Sequence, residues 1–201
     1  MSTGAKIGLG ITALIILLIV IGFSSFISMR NSMVKMDEDV NTGWAQVQNV
    51  YQRRADLIPN LVETVKGYAA HENETLTAVT EARARLGGVT QLNANDLTSE
   101  NLARFQQAQA GLGAALQRLM MVTENYPELK ANENFIRLQD ELSGTENRIA
   151  TERRWFNEAV KKYNTYIRMF PQSMIAGMAG FVPRPYFQAD EAAQTAPQVK
   201  F

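Results

Sequence analysis

The sequence predicts an all-α protein: an N-terminal transmembrane helix followed by an elongated bundle of about four helices, two of them very long. Three observations carry that reading. A 21-residue stretch, Ile7 to Ile27, contains no charged residue. Apolar residues recur at alternating spacings of 4 and 3 over two long segments, as they do where a helix packs along a partner. No segment sustains period-two alternation with β-branched enrichment, so a sheet is not expected.

The anchor comes first. At about 1.5 Å per residue, a helix of that length reaches about 31 Å, matching the ~30 Å hydrocarbon core of a bilayer. Ile7, Leu14, Leu17, Leu18, Val20 and Ile27 are expected to face lipid. A cleaved signal peptide has a shorter apolar core and a small-x-small cleavage motif, whereas this run leads into Phe26, Ile27 and Met29. Gly4 and Gly8, with Lys6 between them, read as interfacial and not as a dimer seam. Lys6 on one flank against Arg30 and Lys35 on the other leans toward a cytoplasmic domain.

The first soluble helix follows the register Met29, Met33, Met36, Val40, Gly43, Val47, Val50, Arg54, Leu57, Leu61, widened by Trp44, Tyr51, Ile58, Val62 and Val65. Pro59 lacks an amide hydrogen and crowds the carbonyl four residues back, so a kink or restart is expected near Asp56 to Pro59. A second helix is predicted from an Asn73 cap to Leu86, with Gly87-Gly88 as its stop. Residues 89–98 read as loop. Ser99 is expected to cap a third helix carrying Leu102, Phe105, Leu112, Leu116, Leu119 and Val122 and ending near Tyr126-Pro127. The fourth runs from Asn132 to Phe170 with Phe135, Leu138, Leu142, Thr145, Ile149, Glu152, Phe156, Ala159, Tyr163, Tyr166 and Phe170 inward, and Pro171 closes it. Residues 1–28 are thus tail and anchor, 29–171 the bundle, and 172–201 an apolar Met-rich segment with a C-terminal tail.

Composition narrows the chemistry. Lys plus Arg and Asp plus Glu each number 20, so the formal charge is zero and no basic footprint for nucleic acid exists. There is no cysteine, which removes disulfides, thiolate ligands and thiol nucleophiles. A lone histidine, His71, cannot supply paired Glu-x-x-His units, and Thr75 stands where an HExxH motif needs its second histidine. Asp37-Glu38-Asp39 points around the helix and reads as a solvated face. No cofactor, metal site or catalytic residue is expected, and the chain does not read as an enzyme.

Several segments together resemble the LemA family of bacterial membrane-anchored helical proteins. They are Trp44-Ala45-Gln46-Val47, RRADLIPNLVETVKGYAAHE (Arg53 to Glu72), ENYPELKANENF (Glu124 to Phe135), TENRIATERRWFNEAV (Thr145 to Val160), YNTYI (Tyr163 to Ile167) and Phe170-Pro171. The resemblance runs in order along nearly the whole chain, with the tail after Gln188 matching nothing. It implies a long-helix bundle behind an anchor in the bacterial inner membrane, and little about activity.

Two regions are candidate functional surfaces. Arg53, Arg54, Asp56, Asn60 and Glu63 surround Pro59, and i,i+3/i+4 spacing lets Arg53 reach Asp56 and Asp56 reach Asn60. They form either an internal network serving the backbone at the kink or a surface for an acidic partner. Glu152, on an inward position, is a candidate to pair with Arg54 across the bundle. Met174, Ile175, Met178 and Phe181 either fold back on the bundle or dock onto a neighbouring subunit or the membrane. The resulting expectation is a membrane-anchored, non-enzymatic scaffold that self-associates at the lipid bilayer. The alternative is an accessory adaptor for a membrane-protein partner such as a protease or transporter.

Overall fold

The computed structural model describes residues 3–87 and 92–188. Among the described residues the regular structure is entirely helical: α1 (Thr3–Lys66), α2 (Asn73–Leu86), α3 (Ser99–Thr123), α4 (Pro127–Lys130), α5 (Glu133–Arg168) and α6 (Gln172–Ala179), with a single 3-10 turn at Ala94–Asp96. The two long helices are α1 and α5. The expected tail, Ala189 to Phe201, and the start of the 89–98 loop lie outside the described residues.

Helix ends follow local chemistry, with shifts from expectation. α3 is capped by Thr98, one residue earlier than Ser99. Thr98 has the extended backbone a cap requires, and its hydroxyl accepts from the Asn101 amide at 3.1 Å. Asn73 is not a cap but the first residue of α2, preceded by Glu72. Asn132 does cap α5, its Oδ1 accepting from the Phe135 amide at 3.0 Å. Pro127 opens the single turn of α4, where its missing amide hydrogen costs nothing. α6 stops at Gly180, whose φ of 76° is a left-handed conformation that a side chain would strain.

Three expectations about the long helices need correction. Of the kink or restart expected near Asp56 to Pro59, the restart does not occur, because α1 passes through Pro59 as one helix. Its buried stripe beyond Val40 is Trp44, Val47, Tyr51, Arg54, Ile58, Leu61 and Val65, while Val50 and Leu57 are only half-buried. Both registers share Val40, Val47, Arg54 and Leu61, and the larger Trp44, Tyr51 and Ile58 decide which flank points inward because they remove more apolar surface from water. α5 ends at Arg168, so Phe170 is 81% exposed and not inward. A cis peptide bond joins Phe170 to Pro171.

The chain forms two compact units. One comprises Met1–Val40 and Lys161–Pro183. Its buried residues are Met33, Val40, Tyr163, Asn164, Ile167, Ile175 and Ala176, and the Tyr163 hydroxyl donates to the Val182 carbonyl at 3.0 Å. The other comprises Asn41–Val160 and Arg184–Phe201. Its apolar core joins Ile58, Leu61 and Val65 of α1 to Leu76 and Val79 of α2. Leu112, Leu116 and Leu119 of α3, Leu129 of α4 and Phe135, Leu138 and Leu142 of α5 complete it. Gly43 lets α1 approach α5 closely, since a Cβ there would stand 3.4 Å from the Phe156 Cα.

Candidate functional site

Pro59 cannot donate to the Ala55 carbonyl, which is therefore free within α1. Arg83 of α2 fills that role: its Nε donates to the Ala55 oxygen at 3.0 Å. Pro59 itself lies on the exposed side of the helix. The orphaned acceptor is thus satisfied from a neighbouring helix, and α1 continues without a break. Sequence reasoning sought this compensation among the neighbours of Pro59 and missed Arg83, which no local spacing connects to Ala55.

Arg54, one turn earlier, is buried. Its Nη1 donates to Glu146 Oε1 at 2.9 Å, and its Nη2 donates to the Gln109 carbonyl at 3.3 Å and to Gln109 Oε1. The guanidinium also lies over the Tyr51 ring, 5.1 Å from its centre. The expected partner Glu152 is replaced by Glu146, nearly two turns earlier on α5, whose carboxylate is half-exposed. An acid in that position keeps part of its hydration while pairing with the buried cation, which lowers the desolvation cost of the pair. Arg54 Nε and Gln109 Nε2 are buried donors with no acceptor among the described residues.

The rest of the predicted polar group does not converge. Arg53, Asp56, Asn60 and Glu63 are on the solvent face with Pro59, and Glu152 is half-buried. Asp56 accepts from Gln52 at 2.8 Å, and the Asn60 carbonyl accepts from Thr64 at 2.7 Å. The set therefore divides: Arg54 is an interior residue, and the others form an open polar face around the proline.

An aromatic cluster lies in the same unit. Trp44 is edge-on to Phe105 at 5.2 Å and to Phe156 at 6.0 Å, Tyr51 meets Phe105 at 5.0 Å, and Phe187 stacks on Trp44 at 6.0 Å. Phe187 arrives on an extended segment that sequence reasoning assigned no role. Asn157 binds both sides of its backbone, accepting from the Phe187 amide at 2.9 Å and donating to its carbonyl at 3.1 Å. Arg184 donates to the Ala94 carbonyl at 3.0 Å, while Gln106 and Arg153 both donate to the Gln188 carbonyl. The 92–98 loop is tied down by Trp44 and Gln48, which donate to the Leu92 carbonyl at 2.9 and 3.0 Å. Pro183 and Pro185 favour this extended backbone, the one signal in the sequence that could have revealed it.

A groove of about 490 Å³ runs between α2 and α3. Ala78, Ala82, Ala108, Gly111 and Ala115 line it, with Arg85, Arg104, Arg118 and Glu81 at its rim. Two rim arginines make exposed pairs within their own helices, Arg85 with Glu81 and Arg104 with Glu100. Elsewhere in the unit, the Tyr126 hydroxyl donates to Glu72 at 3.1 Å, and this bond to a carboxylate raises the tyrosine pKa above its usual 10.0. Among the described residues no three acidic or histidine side chains cluster as metal ligands.

The predicted anchor residues Ile7, Leu14, Leu17, Leu18, Val20 and Ile27 are all exposed along α1, which is long and apolar enough to cross a membrane. In α6, Ile175 is buried whereas Met174 and Met178 are exposed, and Phe181, just after the helix, is half-buried.

The sequence pattern of the LemA family matches residues 43–201. The chain is 29% identical to the magnetosome proteins MamQ 1 and MamQ 2 of Paramagnetospirillum magneticum, over 88% of this chain and 71% of each relative. It is 27% identical to magnetosome protein MamQ of Magnetospirillum gryphiswaldense, over 94% and 77% of the two chains. With Protein LemA of Metamycoplasma hominis it shares 23% identity over 88% and 76%.

Proposed function

This chain belongs to the LemA family, and from that premise we propose that it is a membrane-anchored helical scaffold that self-associates at the bilayer without catalysing a reaction. The observation that carries the reading is α1 itself: one helix supplies both the exposed apolar span and the buried stripe of the bundle. Relatives named for a magnetosome, and not for a reaction, support it. We place the anchor in the bacterial inner membrane with the domain on the cytoplasmic side, following the flanking charges.

Self-association is assigned to the groove between α2 and α3. Its small residues allow another backbone to come close, and its rim offers charges of both signs to the same rim on a second copy. Native mass spectrometry of the full chain in mild detergent tests this. A defined multimer is expected, and filling the groove with Ala108→Leu and Gly111→Leu should reduce its mass. A monomer in both proteins overturns the scaffold reading. The adaptor reading would then lead, favoured by the open polar face of Arg53, Asp56, Pro59 and Asn60, and crosslinking from that face should capture one stoichiometric membrane partner.

A further inference from the structure

We infer that α6, with Phe170, lies in the membrane interface as a second lipid contact beside the anchor. The inference rests on the reading of residues 7–27 as a bilayer span, and it concerns only the unit formed by Met1–Val40 and Lys161–Pro183. Met33 is fully buried and stands about 9 Å along α1 from Ile27, at ~1.5 Å per residue. Beyond α1 its unit consists of Lys161–Pro183, which groups the end of α5 and α6 with the part of α1 that adjoins the apolar span. Met33 thus stands just beyond the headgroup layer, about 5–8 Å thick on each side of the hydrocarbon, and side chains of the unit on its membrane side reach into that layer.

What this segment presents outward suits that layer. Phe170 and Met178 are 81% and 80% exposed, and Met174, Val182 and Met169 are also exposed, although Ile175 and Ala176 are buried. Isolated exposed apolar side chains are ordinary on a soluble surface, but five within fourteen residues make a patch. Nearest the span the charge is basic, and the acids of the unit, Asp37, Glu38 and Asp39, begin about 15 Å along α1 from Ile27. Residues 161–183 contain Lys161, Lys162 and Arg168 and no acid, and residues 7–36 contain Arg30 and Lys35 and no acid. All five cations are exposed. Apolar side chains at the level of a basic collar are the pattern of an interfacial segment facing anionic lipid. Burial of Ile175 fixes α6 on its unit and leaves Met174 and Met178 for the bilayer.

The absence of cysteine makes the test direct. Phe170→Cys, Met174→Cys and Met178→Cys, each in the full chain, are spin-labelled and reconstituted in vesicles of phosphatidylethanolamine and phosphatidylglycerol. Collision with oxygen, which enters lipid, is compared with collision with a water-soluble nickel chelate. Labels at Ile21→Cys and Glu158→Cys give the lipid and water references. The three sites should resemble Ile21 more than Glu158, and replacing phosphatidylglycerol by phosphatidylcholine should move them toward the water reference. Water-like collision at all three in the anionic vesicles overturns the proposal. So does protection from both probes with spin–spin broadening, which would show a second copy of the chain covering the patch. A water-like label at Ile21 as well would instead overturn the anchor reading beneath it.

Discussion

At Pro59 the helix loses one donor, and a residue distant in sequence restores the balance. Arg83 holds the Ala55 carbonyl at 3.0 Å, so Arg83→Met should destabilise the bundle by about 1–2 kcal/mol through an unsatisfied acceptor. In a Pro59→Ala background the carbonyl regains a helical amide, and the same substitution should cost only a few tenths. Equal costs in the two backgrounds, measured by urea denaturation, would reject the compensation. Arg54 makes the complementary case. A double-mutant cycle between Arg54 and Glu146 should give a coupling of about 1–2 kcal/mol, whereas Arg54 with Glu152 should give about zero. Charge reversal at 54 and 146 together should recover only part of the stability lost in either single reversal, because an acid at 54 cannot donate to the Gln109 oxygens. These partners were not legible in the sequence. Glu146 and Glu152 are both acids on α5, and which one faces Arg54 depends on how the helices are rotated.

Extended and short elements close the bundle where the helices leave gaps. The segment from Arg184 to Gln188 has no regular structure, yet it delivers a buried Phe187 into the aromatic cluster. Phe187→Ala should cost about 3–5 kcal/mol, as for other buried aromatic truncations. Trp44 fluorescence should shift to longer wavelength in a Trp155→Phe background; unchanged emission would show that the cluster does not need the segment. α4 contributes through the residue before it, because Tyr126 donates to Glu72. The tyrosine pKa is raised in the folded protein, first by this hydrogen bond, then by desolvation and then by the Glu72 charge. A raised folded pKa gives a contribution fully present below the unfolded value near 10 and lost as pH rises through the folded value. Tyr126→Phe should therefore lower the melting temperature at pH 8, with the difference from wild type fading as the pH is raised well above 10. A difference that stays constant across that range would rule out the titration.

For the whole molecule, the decisive property is that the first helix is apolar over a bilayer's thickness and then becomes amphipathic. Leu17→Lys places a charge at the centre of the span, at a cost of about 3 kcal/mol on insertion scales. It should move the protein from the membrane fraction to the soluble or aggregated fraction in cell fractionation. Retention of wild-type membrane association would mean that the span does not carry the anchoring. The fold class, the anchor, the extents of α2 and α5 to within one or two residues and the start of α3 were readable from the sequence, whereas α3 ends at Thr123, three residues before the expected Tyr126. They depend on periodicity, hydropathy and turn chemistry, all of which are local. Tertiary structure alone decided the inward flank of α1, the pairing of Arg54 with Glu146, the rescue of Pro59 by Arg83 and the placement of Phe187. Each depends on which surfaces meet between segments far apart in sequence, and no local spacing encodes that meeting.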